Sequence, residues 1–319
     1  MAGAIVVEAG LKERAFAVRQ AHFPDEINFY APGLKRFSTR EFQQKNPRAF
    51  LPISLTGGAC ALQCDHCAAK ILDPMIPLHS SESLFDLCAR LDAAGTQGVL
   101  ISGGSSRTGA VPLLKHIEDI ARVKRELALR VLVHCGLVTE QTAAALKGAG
   151  VDGVMIDIIG ADETIRDVYH LDATVADFDR SLELLVKYGH SVRPHIILGL
   201  HYGQFLGENT ALEIIARYPV HALILVILTP LADTAMQGVA PPAVSELQDF
   251  FQKARLAMPR TLMLLGCSRP LGHHKSAVDR AAVDCGLNGI AYPAEGIVEY
   301  SESKGLRPNF FENACSCGC

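Results

Sequence analysis

Residues 130–158 read Arg130-Val-Leu-Val-His-Cys-Gly-Leu-Val-Thr-Glu-Gln-Thr-Ala-Ala-Ala-Leu-Lys-Gly-Ala-Gly-Val-Asp-Gly-Val-Met-Ile-Asp-Ile158. Two short apolar runs, 130–134 and 153–158, flank a segment that closes on Gly150, a helix stop signal. Neither run alternates strictly between apolar and polar residues. That is the pattern of strands buried on both faces of a parallel sheet. The same rhythm extends in both directions. It places strands at Leu51–Leu55, Gly98–Ile101, Arg130–His134, Gly153–Ile158, Val192–Leu198, Ala222–Leu228, Thr261–Leu265 and Gly289–Tyr292. Between them, apolar residues recur at helical spacing, as in Leu84, Leu87, Cys88 and Leu91, or Leu182, Leu185 and Val186. Gly95 and Gly189 punctuate two of these segments as Gly150 does the quoted one. Strand–helix units repeated in this way predict an α/β fold, a (β/α)8 TIM-type barrel over residues 51–295. An open doubly wound sheet is the alternative, since periodicity does not prove closure.

Residues 1–50 stand outside the repeat. Leu11–His22 reads as an amphipathic helix, and Phe23–Phe50 as loop, punctuated by Pro24, Pro32-Gly33 and Pro47. The expectation is an N-terminal extension packed on the barrel, with residues 296–319 as a polar C-terminal tail ending Ala314-Cys-Ser-Cys-Gly-Cys319. The chain of 319 residues is 49% hydrophobic and 20% charged, too apolar for a disordered polymer. A net charge of −4 argues against a broad nucleic-acid-binding face. The best apolar run, Ala222 to Leu228, stops at Thr229-Pro230, far short of a bilayer span. The start lacks the charged and long apolar regions of a signal peptide. A cytoplasmic protein with no membrane and no nucleic-acid partner is expected.

Ten cysteines are present, six of them in two tight groups: Cys60, Cys64 and Cys67, then Cys315, Cys317 and Cys319. In a reducing compartment, clustered thiols are metal ligands sooner than disulfides. The first group lies in Thr56-Gly-Gly-Ala-Cys-Ala-Leu-Gln-Cys-Asp-His-Cys67. Three thiolates at C-x3-C-x2-C spacing can wrap one face of a [4Fe-4S] cubane and leave one iron open. A zinc site is the competing reading, with Asp65 or His66 as fourth ligand. After the next strand comes Ile101-Ser-Gly-Gly-Ser-Ser-Arg107, which lacks the spacing of a phosphate loop and taken alone is a turn.

The C-x3-C-x2-C loop at the end of a first barrel strand resembles the signature of the radical S-adenosylmethionine (SAM) superfamily, with His66 where that family often has an aromatic residue. The resemblance implies that the open iron chelates the amino and carboxylate groups of SAM. Reductive cleavage, fed by a donor such as ferredoxin or flavodoxin, then yields a 5′-deoxyadenosyl radical. It also implies roles for Gly103 and Gly104 at the SAM amino group. Gly199, within Ile196-Ile-Leu-Gly-Leu-His-Tyr-Gly203, and Thr229 fall where the adenine is contacted. Asp157 would meet the ribose or the methionyl group, or simply cap a helix. Arg193 or Arg180 would hold the SAM carboxylate. His134 and His195 read as polar lining of the mouth, or as contacts to SAM or substrate. His201 and Tyr202 are candidates for gating, and His273-His274-Lys275 reads as a solvated helix cap.

The stretches His134–Gly150, Asp177–Gly189 and Leu206-Gly207-Glu208 resemble the biotin synthase branch, over most of residues 50–295. That enzyme holds its sacrificial cluster with three strand cysteines and an arginine. Here only Cys135 has a matching place, for strand two carries Ile101-Ser102 and strand five Arg193-Pro-His195. This chain offers instead Cys315, Cys317 and Cys319, with Cys267 in Gly266-Cys-Ser-Arg-Pro270, as ligands of a second, auxiliary [4Fe-4S] cluster. Arg269 or a substrate is an alternative fourth ligand, and a tail without metal is the bland alternative. Cys88 and Cys285 read as core, and Cys135 is left open. The leader Ile27-Asn-Phe-Tyr-Ala-Pro-Gly33, the Gly-Cys-x-Arg-Pro element and the tail resemble components of the two-protein lipoyl synthases. The resemblance implies sulfur insertion into a protein-bound octanoyl chain, the sulfur coming from the sacrificed cluster. The partners would be an octanoylated carrier protein or domain, docked near Phe29-Tyr30 and Lys35-Arg36, and a sister radical SAM protein. Other radical SAM chemistry, a mutase or lyase, and a non-catalytic metal-binding protein are the rival readings.

Overall fold

The computed structural model describes residues 2–33 and 35–314. Eleven parallel strands form one curled sheet: β1 (Glu26–Tyr30), β2 (Phe50–Ser54), β3 (Ile76–Pro77), β4 (Gly98–Ser102), β5 (Arg130–His134), β6 (Gly153–Asp157), β7 (Val192–Leu198), β8 (Ala222–Ile227), β9 (Leu262–Leu265), β10 (Gly289–Ala291) and β11 (Arg307–Phe311). Their spatial order is β11-β1-β10-β9-β8-β7-β6-β5-β4-β2-β3. Around them, in chain order, run α1 (Ala2–His22), α2 (Leu84–Ala93), α3 (Ile117–Glu126), α4 (Glu140–Ala149), α5 (Asp162–Asp167), α6 (Val175–Lys187), α7 (Glu208–Ala216), α8 (Val244–Ala257), α9 (His273–Asp284) and α10 (Ile297–Ser303). The architecture is the α/β, TIM-type barrel expected from the repeat. The eight expected strands are all present.

The ends differ from expectation. The segment read as loop contains β1, which pairs in parallel with both β10 and β11. The reason is a short alternation the proline punctuation concealed: Ile27 and Phe29 face the helices, Asn28 and Tyr30 the lumen. Residues at both chain ends therefore extend the sheet itself. The edge strands are β11 and β3, so hydrogen bonds do not close the ring among the described residues. Glu312 spans the seam, its carboxylate accepting from the backbone N–H groups of Lys45 and Asn46, just before β2.

Alternation along the strands divides the interior in two. One set (Ile53, Val99, Ile101, Val131, Val133, Val154 and Ile156 among them) is fully buried against the helices. Such complete burial of branched side chains is the main stabilising term of the sheet–helix interface. The other set points into the lumen. At its N-terminal end Phe50 and Arg193 form a floor over two glycines. A Cβ on Gly98 would sit 2.5 Å from the Phe50 ring, and one on Gly153 would sit 2.0 Å from Arg193 Nη1. Above the floor, Leu132, Met155 and Phe50 make a small apolar cluster, with Leu100 packed on it. Ala314, the last described residue, is buried in that cluster.

Candidate active site

The cysteine loop leaves the C-terminal end of β2 and packs on a second apolar cluster at the mouth. That cluster contains Leu62, Ile159, Ile165, Val168, Leu200, Leu228 and Met236, and buries Cys64 and Cys67. The loop is tight enough to force Gln63, Ala68 and Ala69 to positive φ. Backbone bonds hold it: Ala61 N–H donates to Ser105 O at 2.8 Å, and Asp65 N–H to Val168 O at 2.9 Å. The hydroxyl of Thr56 accepts from Gly104 N–H at 2.8 Å. Gly104 has no room for a side chain, since a Cβ would fall 2.0 Å from Ala59 O. The Gly103-Gly104 turn after β4 thus lies directly against the cysteine loop.

The thiols of Cys64 and Cys67 and a ring nitrogen of His66 lie within 4.8 Å of one another. The hydrogen bond from Cys64, with His66 adding to it, pulls Cys67 down to about 4. The same bond, burial and the neighbouring charge push Cys64 up. Cys67 is thereby biased toward the thiolate, the form that ligates metal. The His66 ring sits 5.3 Å from that of Tyr169, and its buried Nδ1 has no hydrogen-bond partner. Cys60 is half-buried, with its sulfur 3.9 Å from Ser105 O. Cys60 lies on the same loop but outside that close group of ligand atoms; the thiol donors of this loop have the chemistry that holds an iron–sulfur cluster.

Asp65 is not turned toward these sulfurs. Its carboxylate accepts from Tyr202 Oη and lies 2.8 Å from His170 Nε2. Burial raises its pKa, but the bonds from Tyr202 and His170 outweigh burial and hold it below the ordinary carboxylate range. Asp65 therefore clamps the cysteine loop to the loops after β6 and β7. From the sequence alone Asp65 is a spare metal ligand and Tyr202 a gate; the contact that pairs them joins residues 137 positions apart.

Deeper in the lumen stand His134, Asp157 and His195. His134 Nε2 is 3.3 Å from Asp157 Oδ1, and the two imidazole rings are 5.6 Å apart. Burial pushes Asp157 up, yet His134 and His195 more than offset it, leaving the carboxyl at about 2. Burial, then the His134 charge, lowers His195 to about 4. Each of the three is visible in the sequence as a strand residue, but their convergence is a matter of strand register.

Several expected residues are elsewhere. Arg193 is a floor residue: its guanidinium donates to Ser191 O at 2.8 Å, one lumen layer below His195 and away from the cysteine loop at the mouth. Arg180 is on the outer surface, paired with Glu183. Arg269 is fully buried and engaged by Asp279, Gly266 O and Tyr292 O, which rules it out as a cluster ligand. Lys275 is not solvated; its ammonium lies 3.3 Å from Asp279 and donates to Tyr292 O. Phe29 and Tyr30 are wholly buried in β1 and cannot receive a docking protein.

Cys135 faces the helix-side core with its sulfur 3.3 Å from Met155 O, and Cys88 and Cys285 are core as read. Gly199 turns at φ 76 with its N–H on Glu208 at 2.8 Å. Thr229 Oγ1 bonds Ile227 O and Ser268 Oγ at the end of β8. Cys267 follows β9, half-buried, close enough to influence Lys35. Cys315, Cys317 and Cys319 lie outside the described residues.

A model of the radical SAM superfamily matches residues 54–206. Among curated proteins, biotin synthase of Chlorobium phaeobacteroides is 26% identical over 232 residues, 68% of this chain and 66% of the relative. Biotin synthase 2 of Corynebacterium diphtheriae is 26% identical over 255 residues, 74% of this chain and 73% of the relative. Methylornithine synthase (PylB) superposes over 95% of this chain and 89% of its own, with TM-score 0.63 and 16% identity. The FeFe-hydrogenase maturase HydG of Carboxydothermus hydrogenoformans covers 95% of this chain and 72% of its own, with TM-score 0.64 and 16% identity. At such identities the two structures speak for the fold alone.

Proposed function

We propose, for a chain that carries the radical SAM domain over residues 54–206 and is an enzyme of that superfamily, that it inserts sulfur into an unactivated C–H bond of a protein-bound octanoyl chain. Low-identity kinship with biotin synthases supports sulfur insertion as the reaction class. When bound, the [4Fe-4S] cluster and SAM supply a 5′-deoxyadenosyl radical that removes hydrogen from carbon, and an auxiliary cluster supplies the sulfur.

The chain's own residues do the rest. Cys60, Cys64 and Cys67 hold the first cluster, and the hydrogen bond from Cys64 favours the thiolate form of Cys67. Gly103 and Gly104 lie beside that loop and offer backbone to the SAM amino group. Asp65, with Tyr202 and His170, keeps the loop in place. Thr229 and the Gly199 turn stand at the strand ends for the adenine. Lumen positions Leu100, Ile197 and Val226 are apolar and partly exposed, a lining suited to an acyl chain.

The observation that carries the sulfur-donor reading is Ala314. It is buried in the lumen against Leu132, Met155 and Phe50, and the next residue in sequence is Cys315. On this reading Cys315, Cys317 and Cys319, joined by Cys267, would be the ligands of the second cluster. No described helix is long and apolar enough to cross a membrane. The proposal takes the enzyme as cytoplasmic, acting on an octanoylated carrier protein with a sister radical SAM protein.

The test is anaerobic reconstitution followed by SAM, reductant and an octanoylated peptide. The peptide should gain the mass of sulfur. Two cubanes give about eight irons per chain, one gives about four. Replacing the three tail cysteines with Ala should halve the iron and abolish sulfur gain while SAM cleavage persists. Unchanged iron favours a mutase or lyase. Zinc without iron, held by the Cys64–His66–Cys67 group, favours the non-catalytic reading.

A further inference from the structure

His134 ends β5, Asp157 ends β6, and His195 is Asp157's register partner on β7. All three project into the lumen, and one ligand atom from each lies within 4.8 Å of the others. His195 engages Arg193 O through Nδ1 at 3.1 Å, which leaves Nε2 toward the lumen. Metal-bound imidazoles are held in this way, with the second ring nitrogen on a backbone carbonyl that fixes tautomer and orientation. The cysteine loop uses none of these side chains.

We propose that His134, Asp157 and His195 form a second metal site, separate from the cysteine loop, for a divalent first-row ion that takes nitrogen and oxygen ligands, such as iron(II) or zinc(II). Two imidazoles and one carboxylate converging from adjacent strands are the two-His-one-carboxylate set, which leaves coordination positions open. Those positions face the lumen, where an oxygen or nitrogen donor of a substrate can reach them. Half-burying three ionisable groups side by side is costly unless they are paired. One Asp157 carboxylate between two imidazoles pairs only incompletely, whereas a divalent cation satisfies all three together. The chemistry also separates the sites: thiolates select iron–sulfur clusters, and this set selects a harder ion.

The probe is cobalt(II), titrated anaerobically into the full chain with its cysteine-loop cluster assembled. The site should take about one equivalent and show d–d absorption without thiolate-to-cobalt charge transfer. His195→Gln and Asp157→Asn should each weaken cobalt binding by at least about tenfold, with the loop cluster's absorbance unchanged. No cobalt bound, charge-transfer bands, or equal affinity in wild type and variants overturns the site. Because a lumen variant can also misfold, X-ray absorption on the cobalt-loaded wild type gives an independent reading. Two imidazole nitrogens and no sulfur support the site, and any other first shell overturns it. The loop cluster's absorbance reports on the cysteine loop and cobalt on the triad, so either can fail without the other.

Discussion

Gly104 lies against Cys60 so closely that one added carbon would collide: a Cβ on Gly104 falls 2.6 Å from Cys60 Cα and 2.7 Å from its Cβ. Gly103, one residue earlier, would place its Cβ 3.2 Å from Thr56 Oγ1, a contact that slight movement relieves. Gly104→Ala must therefore displace the cysteine loop, at the roughly 1–3 kcal/mol typical of overpacking. Iron per chain and 5′-deoxyadenosine formation should both fall in Gly104→Ala, and fall much less in Gly103→Ala. Equal losses in the two variants would contradict the contact.

The Asp65 clamp predicts acid sensitivity of the mouth. A carboxyl whose folded pKa is depressed contributes stability above its unfolded value and loses it as pH falls through the folded value. Tyr202→Phe removes one of the two bonds, worth about 1 kcal/mol at this partly exposed position. Cluster absorbance followed on acidification should therefore be lost at higher pH in Tyr202→Phe than in wild type. Coincident curves would show that the clamp holds nothing.

Much of this fold was legible because buried parallel strands announce themselves: Val131–Val133 and Val154–Ile156 are apolar without a break, and α2 buries the four residues its spacing picked out. The strand Glu26–Tyr30 was not legible. Its pairing partners lie at residues 289–291 and 307–311, and its two prolines-rich flanks read locally as loop. The site shows the same division. The spacing of Cys60, Cys64 and Cys67 is local, and a sequence displays it directly. Which atoms Asp65 and His195 face is decided by register between strands far apart in the chain. Arg193 shows the limit most plainly. Sequence places it on the lumen strand, but only the pairing of Met155 with Arg193 and of Asp157 with His195 sets it one layer below the strand ends, in the floor.

That placement predicts a dissociation of stability from binding. Arg193→Met should destabilise the apoprotein by about 1–3 kcal/mol, the range for losing a buried polar contact. SAM affinity, measured by equilibrium binding to the reconstituted protein, should stay within about twofold. A large loss of affinity with unchanged thermal stability would return Arg193 to the cofactor site.

The buried ion pair of Arg269 with Asp279, at 2.7 Å, closes the C-terminal part of the barrel by also tying Gly266 O and Tyr292 O. Removing one partner leaves an uncompensated buried charge, so Asp279→Asn should cost about 3–5 kcal/mol. Lys275 stands beside this pair, and burial, then the Arg269 charge, depresses it to about 8. Between that value and the unfolded lysine range the unfolded chain binds more protons, so this group makes stability rise with pH from about 8 to about 10. Lys275→Met has no such group to neutralise. Chemical denaturation of the apoprotein should show the wild-type rise flattened in Lys275→Met, with stability at pH 7 unchanged or increased. A parallel pH dependence in the two proteins would mean that Lys275 is hydrated in solution and carries its charge without cost.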